Sequence, residues 1–457
     1  MSERRMFFRD VAPSVMAFAL SGVYTIVDGF FVGNSLGDSG LAAINLGFPI
    51  AAFIQAAGTG AGLSGAIRFT ILRGQKRENE ARVCFSSTVL LLALISILLT
   101  GGIFAALSPL LRLLGAEGEL LRLTADYIWV IALGAVFQAF ATGLVPFIRN
   151  LGGAGFAMWA MIAGFVTNIG LDYLFVWVYG LGMAGAAWAT IAGQAATMLL
   201  TVFYLVKKKI GFAVPRGRQL AGFFGAILKV AAAPFGLTFS PQITTILMNR
   251  FLLRYGGEQS VAVYGCIAYI TAITYLLLQG VGDGSQPLIS RFYSEGNLPV
   301  MRQMRKLAYL TGGAIAAACM AGFFLLRRDV GILFGASVQT CESVALYLPL
   351  YLLALIFLFY VRITTAFLYA TEKSVLSYIL VYAEPAAILV LLLTLPRLPA
   401  LGLLGVWLAV PLAQMLTGGV SVFIRLRVDR QIMREAGRRA EVETPRPEPV
   451  TPTDFIR

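Results

Sequence analysis

Asn168 and Asp172 stand four residues apart in the stretch TNIGLDYLFV, so their side chains share one face of a helix. The flanking sequence is otherwise as apolar as a bilayer interior. A charge in such a segment is costly and faces a partner or a wet cavity. Two more oxygen-bearing residues fall at similar depth. At 1.5 Å per residue, Asp28 in YTIVDGFFVG lies roughly 9 Å from the end of its apolar run, and Asp172 roughly 10 Å from the end of its own. Thr190 lies roughly 12 Å into the next run, with Asn168 one turn deeper than Asp172. Two carboxylates, an amide and a hydroxyl in one thin layer form an oxygen-rich shell. Such a shell suits a hard cation, Na+ included, or a proton held between carboxylates. Two carboxylates crowded in a poorly hydrated pocket resist ionising together, a property that a proton-coupled carrier uses. The plainer reading is that Asp28 caps a helix end and Asp172 makes structural hydrogen bonds. The chain has no histidine, so any proton relay must use carboxylates.

The elements that position these residues are membrane spans. The chain has 457 residues, 58% of them hydrophobic and 13% charged, which is too apolar for a soluble protein of this size. Apolar runs of roughly twenty residues recur, each long enough to cross a hydrocarbon core of about 30 Å. Backbone groups in lipid must be paired within the segment, so the runs are helices; the alternating pattern of an outer-membrane barrel is not seen. Twelve spans are expected, near 10–33, 41–72, 84–107, 125–148, 156–179, 182–206, 222–253, 261–291, 306–326, 343–370, 375–396 and 400–426. The first follows Arg4, Arg5 and Arg9 and lacks a small-residue cleavage site, so it is expected to stay as a helix. Cys84, Cys266, Cys319 and Cys341 show neither metal spacing nor a disulfide framework.

A net charge of +13 raises nucleic acid as a partner, but the distribution of charge argues against it. With the N-terminus cytoplasmic, the inner segments before the tail carry about 18 Lys/Arg and the outer loops about 6. The basic residues, densest at Lys207, Lys208, Lys209, Arg216 and Arg218, set topology and face anionic lipid. The expected location is the bacterial inner (plasma) membrane, with both termini cytoplasmic.

The chain is written twice. LGMAGAAWATIAGQAATMLLTVF (181–203) matches LGLLGVWLAVPLAQMLTGGVSVF (401–423) at eight of 23 positions, at an offset of 220. Gly58, Gly60 and Gly62 recur as Gly280, Gly282 and Gly284 at offset 222. Such a period is six helices long, so both copies begin on the same side and are related by an axis along the membrane normal. The expected fold is all-α and polytopic, with two six-helix lobes. Residues 1–206 form the first lobe, 207–221 a basic cytoplasmic linker, 222–430 the second lobe and 431–457 a disordered, proline-rich cytoplasmic tail. The glycine runs allow close helix packing or bending.

The second half carries its own deep charges. Arg362, Glu384 and Asp283 come out at similar depth, roughly 12–14 Å from the inner ends of their spans. Arg362 is expected to pair with Glu384 or Asp283, as a structural ion pair or with a role in substrate binding or gating. Arg149, Arg250 and Arg291 lie near span ends. Pro385 removes a backbone donor, so span eleven is expected to bend.

VDGFFVG (27–33), FIRNLGGAGFAMWAMIAGFVTNIGLDYLFV (147–176) and LGMAGAAWAT (181–190) resemble the multidrug and toxic compound extrusion (MATE) transporters, in their bacterial DinF/MepA-like branch. The likeness covers roughly residues 8–430. It implies twelve helices in two lobes around a V-shaped cavity, and export of cationic or amphipathic organic compounds driven by inward H+ or Na+, with no cofactor. By the same likeness the coupling-ion site falls on Asp28, Asn168, Asp172 and Thr190. At offset 221 the second copy places Asn249 opposite Asp28, so coupling is expected in the first half. The expected reading is a secondary antiporter, not an enzyme, working as a monomer in lipid. Two rivals have other chemistries. A flippase for a lipid-linked saccharide or other lipid would need several cavity-facing arginines for an anionic head, and only Arg362 sits deep in a span. An intramembrane aspartyl protease would fit GVGD (280–283) and PAL (399–401), but no Tyr-Asp dipeptide accompanies them.

Overall fold

A computed structural model describes residues 2–213, 215–329 and 338–443, and no strand occurs among them. Helical backbone runs from Glu3 to Gly74. Straight, it would be ~108 Å long. Phe7 and Val11 nevertheless share a core cluster with Leu63, Ile67 and Ile71, so the segment folds back on itself as spans one and two. Span three is Glu78–Leu113. Span four is a bent pair, Gly118–Leu133 and Ala135–Asn150, with 55° between the two halves. Gly134 sits at that bend because Ile191 of span six packs against it; an added Cβ would come 2.1 Å from its Cγ2. Spans five and six are Ala154–Val178 and Gly182–Lys207. Spans seven and eight, Gly217–Gly257 and Gln259–Ser294, turn at Gly257, whose φ of 69° favours glycine. Spans nine to twelve are Leu298–Leu325, Val338–Ala370, Ser374–Arg397 and Gly402–Ile432. The last helix continues to Glu443, beyond Arg430, where a disordered tail was expected. Residues 444–457 of that tail lie outside the described residues.

The connection between the lobes lies on span three, with the Ala213 N–H donating to Ser86 Oγ at 2.9 Å. At this linker end the lobes share one core: Phe7, Val11, Leu63 and Ile67 pack with Val230, Val281, Leu288 and Phe367. Glycines set the two crossings. A Cβ on Gly60 would stand 3.0 Å from the Ala231 carbonyl oxygen and 3.1 Å from Phe235 Cβ. On Gly280 it would stand 2.6 Å from Val15 Cα. Val15 and Phe235 are 220 apart, as are Gly60 and Gly280, so one pseudo-two-fold relates the crossings. This corrects the glycine pairing at offset 222, which slips by two residues. Small residues let the backbones touch here, which is how helices associate where lipid is as apolar as the side chains.

Candidate functional site

The first-lobe residues come together. Asp172 ends the regular part of span five, which continues as a π-helical turn over Tyr173–Val178. Such turns widen the helix and are frequent at functional sites. Asp28 meets Asp172 side chain to side chain. Asn168, one turn back, lies 3.4 Å from Thr190 Oγ1 through its Nδ2, and the Thr190 hydroxyl donates to the Ala186 carbonyl at 3.0 Å. Asp172 is fully buried and Asn168 nearly so. Asp28 Oδ1, both Asp172 carboxyl oxygens and Asn168 Oδ1 are buried without an N–H or O–H donor.

That inventory decides what the pocket can do. Carboxylates accept and do not donate, so two in contact need something positive between them. Buried acceptors without partners cost free energy unless a proton or cation satisfies them. The donors are hard oxygens, which suit a proton or a hard cation rather than a thiophilic metal. No group of three or more His, Cys, Asp or Glu side chains able to hold a metal occurs among the described residues.

Two further residues belong to the pocket. Tyr24 and Tyr127 both stand beside Thr190, in the neighbourhood of Asp28 and Asp172. Tyr24 stacks on Phe165, with centroids 5.2 Å apart and planes 9° apart. Its position four residues before Asp28 puts it on the same helix face, a signal present in the sequence. Trp177, on the π-helical turn, packs edge-on against Phe31, with centroids 5.2 Å apart.

The second-lobe charges are arranged differently from expectation. Asp283 pairs with Arg149 across the lobes, at 3.5 Å, and accepts from the Tyr369 hydroxyl at 3.3 Å. Arg362 donates to the Leu237 carbonyl at 3.1 Å and lies 4.3 Å from the Tyr275 ring centroid. The expected pairing of Arg362 with Glu384 or Asp283 is therefore corrected. Its cause is Pro241. Proline has no N–H, so the carbonyl four residues earlier, on Leu237, lacks its helical partner, and Arg362 supplies one. Glu384 accepts instead from Tyr275 at 3.1 Å and from Gln414 at 3.2 Å.

At the structural offset of 220, the counterparts of Asp28, Asn168, Asp172 and Thr190 are Met248, Ile388, Leu392 and Val410. Met248 thus replaces Asn249 as the match for Asp28. All four are buried in one hydrophobic cluster.

The MatE family profile matches residues 13–174 and 237–395, the greater part of both lobes. The multidrug export protein MepA of Staphylococcus saprophyticus is 30% identical over 68% of this chain and 69% of its own. That of Staphylococcus aureus is 26% identical over 75% and 76%. A structure described as the outward-facing conformation of a multidrug resistance MATE family transporter of the MOP superfamily superposes with TM-score 0.84. It has 23% identity and covers 95% of this chain and 97% of its own. A MOP superfamily transporter from Pyrococcus furiosus, described as having a binding pocket of reversed polarity, superposes at 0.85 with 25% identity, covering 94% and 96%. The chain belongs to the MatE family of membrane-spanning MATE transporters, which are secondary transporters and not enzymes.

Proposed function

We propose that this chain is a cation-coupled multidrug efflux antiporter, exporting cationic or amphipathic organic compounds across the inner (plasma) membrane, with both termini cytoplasmic. The MepA relatives are named multidrug export proteins, which supports drugs as the cargo. The observation that carries coupling is the cluster of buried acceptor oxygens on Asp28, Asn168 and Asp172, brought together from spans one and five beside Thr190 of span six. A proton or Na+ entering from the end away from the linker neutralises the carboxylates and draws spans one, five and six together. Cargo in the cleft between the lobes is then displaced outward. With the cleft turned inward the ion leaves, the carboxylates repel, and cargo binds again. Ion and cargo affinities must oppose each other, since the coupling is reciprocal. The protein works as a monomer with lipid around both lobes.

The test is dye efflux from proteoliposomes under an imposed pH gradient or an imposed sodium gradient. Efflux follows one of the two gradients, and Asp28→Asn abolishes that dependence while the protein still inserts and folds. Efflux indifferent to both gradients, or unchanged in Asp28→Asn, overturns the proposal.

A further inference from the structure

Near the linker end, one buried ion pair joins the lobes. Arg149 and Asp283 have side-chain exposures of 5% and 9%, and their charged atoms are 3.5 Å apart. Each is held by its own lobe. The Arg149 guanidinium lies 5.3 Å from the Phe18 ring centroid and 3.6 Å from Met161 sulfur, and its Nε is buried without a partner. Asp283 takes the Tyr369 hydroxyl. Beside the pair, Asn150 donates to Gln286 at 3.1 Å, and nearer the rim Arg68 grips Glu372 at 2.9 Å. The repeat does not duplicate the pair: at offset 220 Arg149 corresponds to Tyr369 and Asp283 to Leu63.

A buried ion pair is a poor stabiliser, because desolvation offsets most of the attraction. Its position across the lobes changes that balance. If the lobes part at this end, water reaches both charges and the desolvation cost is relieved, while the attraction is lost. A pair made in one state and hydrated in the other biases the equilibrium by the difference between those two terms. The side chains already hold companions within their own lobes, so neither must be rebuilt on separation.

We propose that Arg149 and Asp283 are gating residues: their contact holds the linker end closed and sets the balance between the two faces of the transport cycle. This rests on the alternating-access reading but not on which ion or cargo is carried. Its test reads conformation directly. Spin labels at Gln75→Cys and Glu295→Cys, both exposed at this end and in opposite lobes, report the separation of the lobes in nanodiscs, with the native cysteines replaced. Asp283→Asn raises the ratio of separated to joined ends by roughly tenfold, within the usual range of coupling between sites. The charge exchange Arg149→Asp with Asp283→Arg returns the ratio toward that of the parent. Where a single variant fails to fold, Arg149→Gln with Asp283→Asn removes both charges without leaving one unpaired and keeps polar groups that water can solvate when the ends part, and it too raises the ratio. An unchanged ratio in whichever of these variants folds overturns the proposal, as does a charge exchange no closer to the parent than Asp283→Asn. Loss of efflux with an unchanged ratio separates a failure of this gate from a failure at the ion site.

Discussion

Where the first lobe sets Asp28, Asn168, Asp172 and Thr190, the second sets Met248, Ile388, Leu392 and Val410 on matching helices. One position holds orphaned oxygens, the other a sealed hydrocarbon cluster. Tyr127 and Tyr347 also correspond, but Tyr127 stands beside Thr190 whereas Tyr347 stacks on Trp407 with centroids 4.3 Å apart. The crossings between lobes, by contrast, are kept: Gly60 and Gly280 make equivalent approaches to the opposite half. Duplication has preserved what both halves must do together, which is to meet along a close axis. It has released what only one half needs. On the proposed reading, one lobe changes shape with the ion, and the other is a dry, well-filled body for it to move against.

The comparison breaks most visibly at the carboxylates. Asp172→Asn removes gradient-driven dye efflux down to the liposome background. Its counterpart Leu392→Met keeps efflux and loses less than about 1.5 kcal/mol of stability, as volume-conserving core exchanges do. Equal loss of efflux in both would abolish the distinction between lobes. Leu392→Asp asks whether the second pocket can be converted. A lone carboxylate among Met248, Ile388 and Val410 costs on the order of several kcal/mol, read as a lower unfolding temperature, and brings no new ion dependence. The glycine crossings come next. Gly280→Ala drives a Cβ into Val15 backbone and costs about 1–3 kcal/mol with impaired transport. Gly60→Ala does the same more mildly, and Gly265→Ala, with open space around it, does nothing. Apart from that neutral control, the smallest effect belongs to Glu384→Gln. The amide still accepts from Tyr275, so stability shifts by about 1 kcal/mol or less and ion dependence is retained.

The spans are legible in the sequence because a bilayer demands long apolar runs and leaves few alternatives. Asp28 and Asp172 are legible because a charge within such a run is conspicuous, and equal depth is enough to suggest a meeting. The Arg149–Asp283 contact is not legible: it joins residues far apart in the chain, and its partners have no common spacing. Arg362 misleads for a different reason. A deep arginine suggests a carboxylate partner, yet its requirement is met by a backbone carbonyl, identifiable only by counting four residues back from Pro241. The glycine register is ambiguous by two residues in the sequence, because alternate glycines on a helix match themselves when slid. Only the contacts with Val15 and Phe235 fix which pairs correspond.

The proline flaw in span seven bears on the sign of the cargo. Mending that flaw ties the second lobe's deep cation, Arg362, to a carbonyl, over the face of Tyr275, whose hydroxyl donates to the Glu384 carboxylate. On the proposed reading, a guest bearing a negative head would compete with that carbonyl and that ring for Arg362. On the same reading, a positively charged or greasy guest makes no such demand, so a turn of backbone chemistry would favour passengers of one polarity.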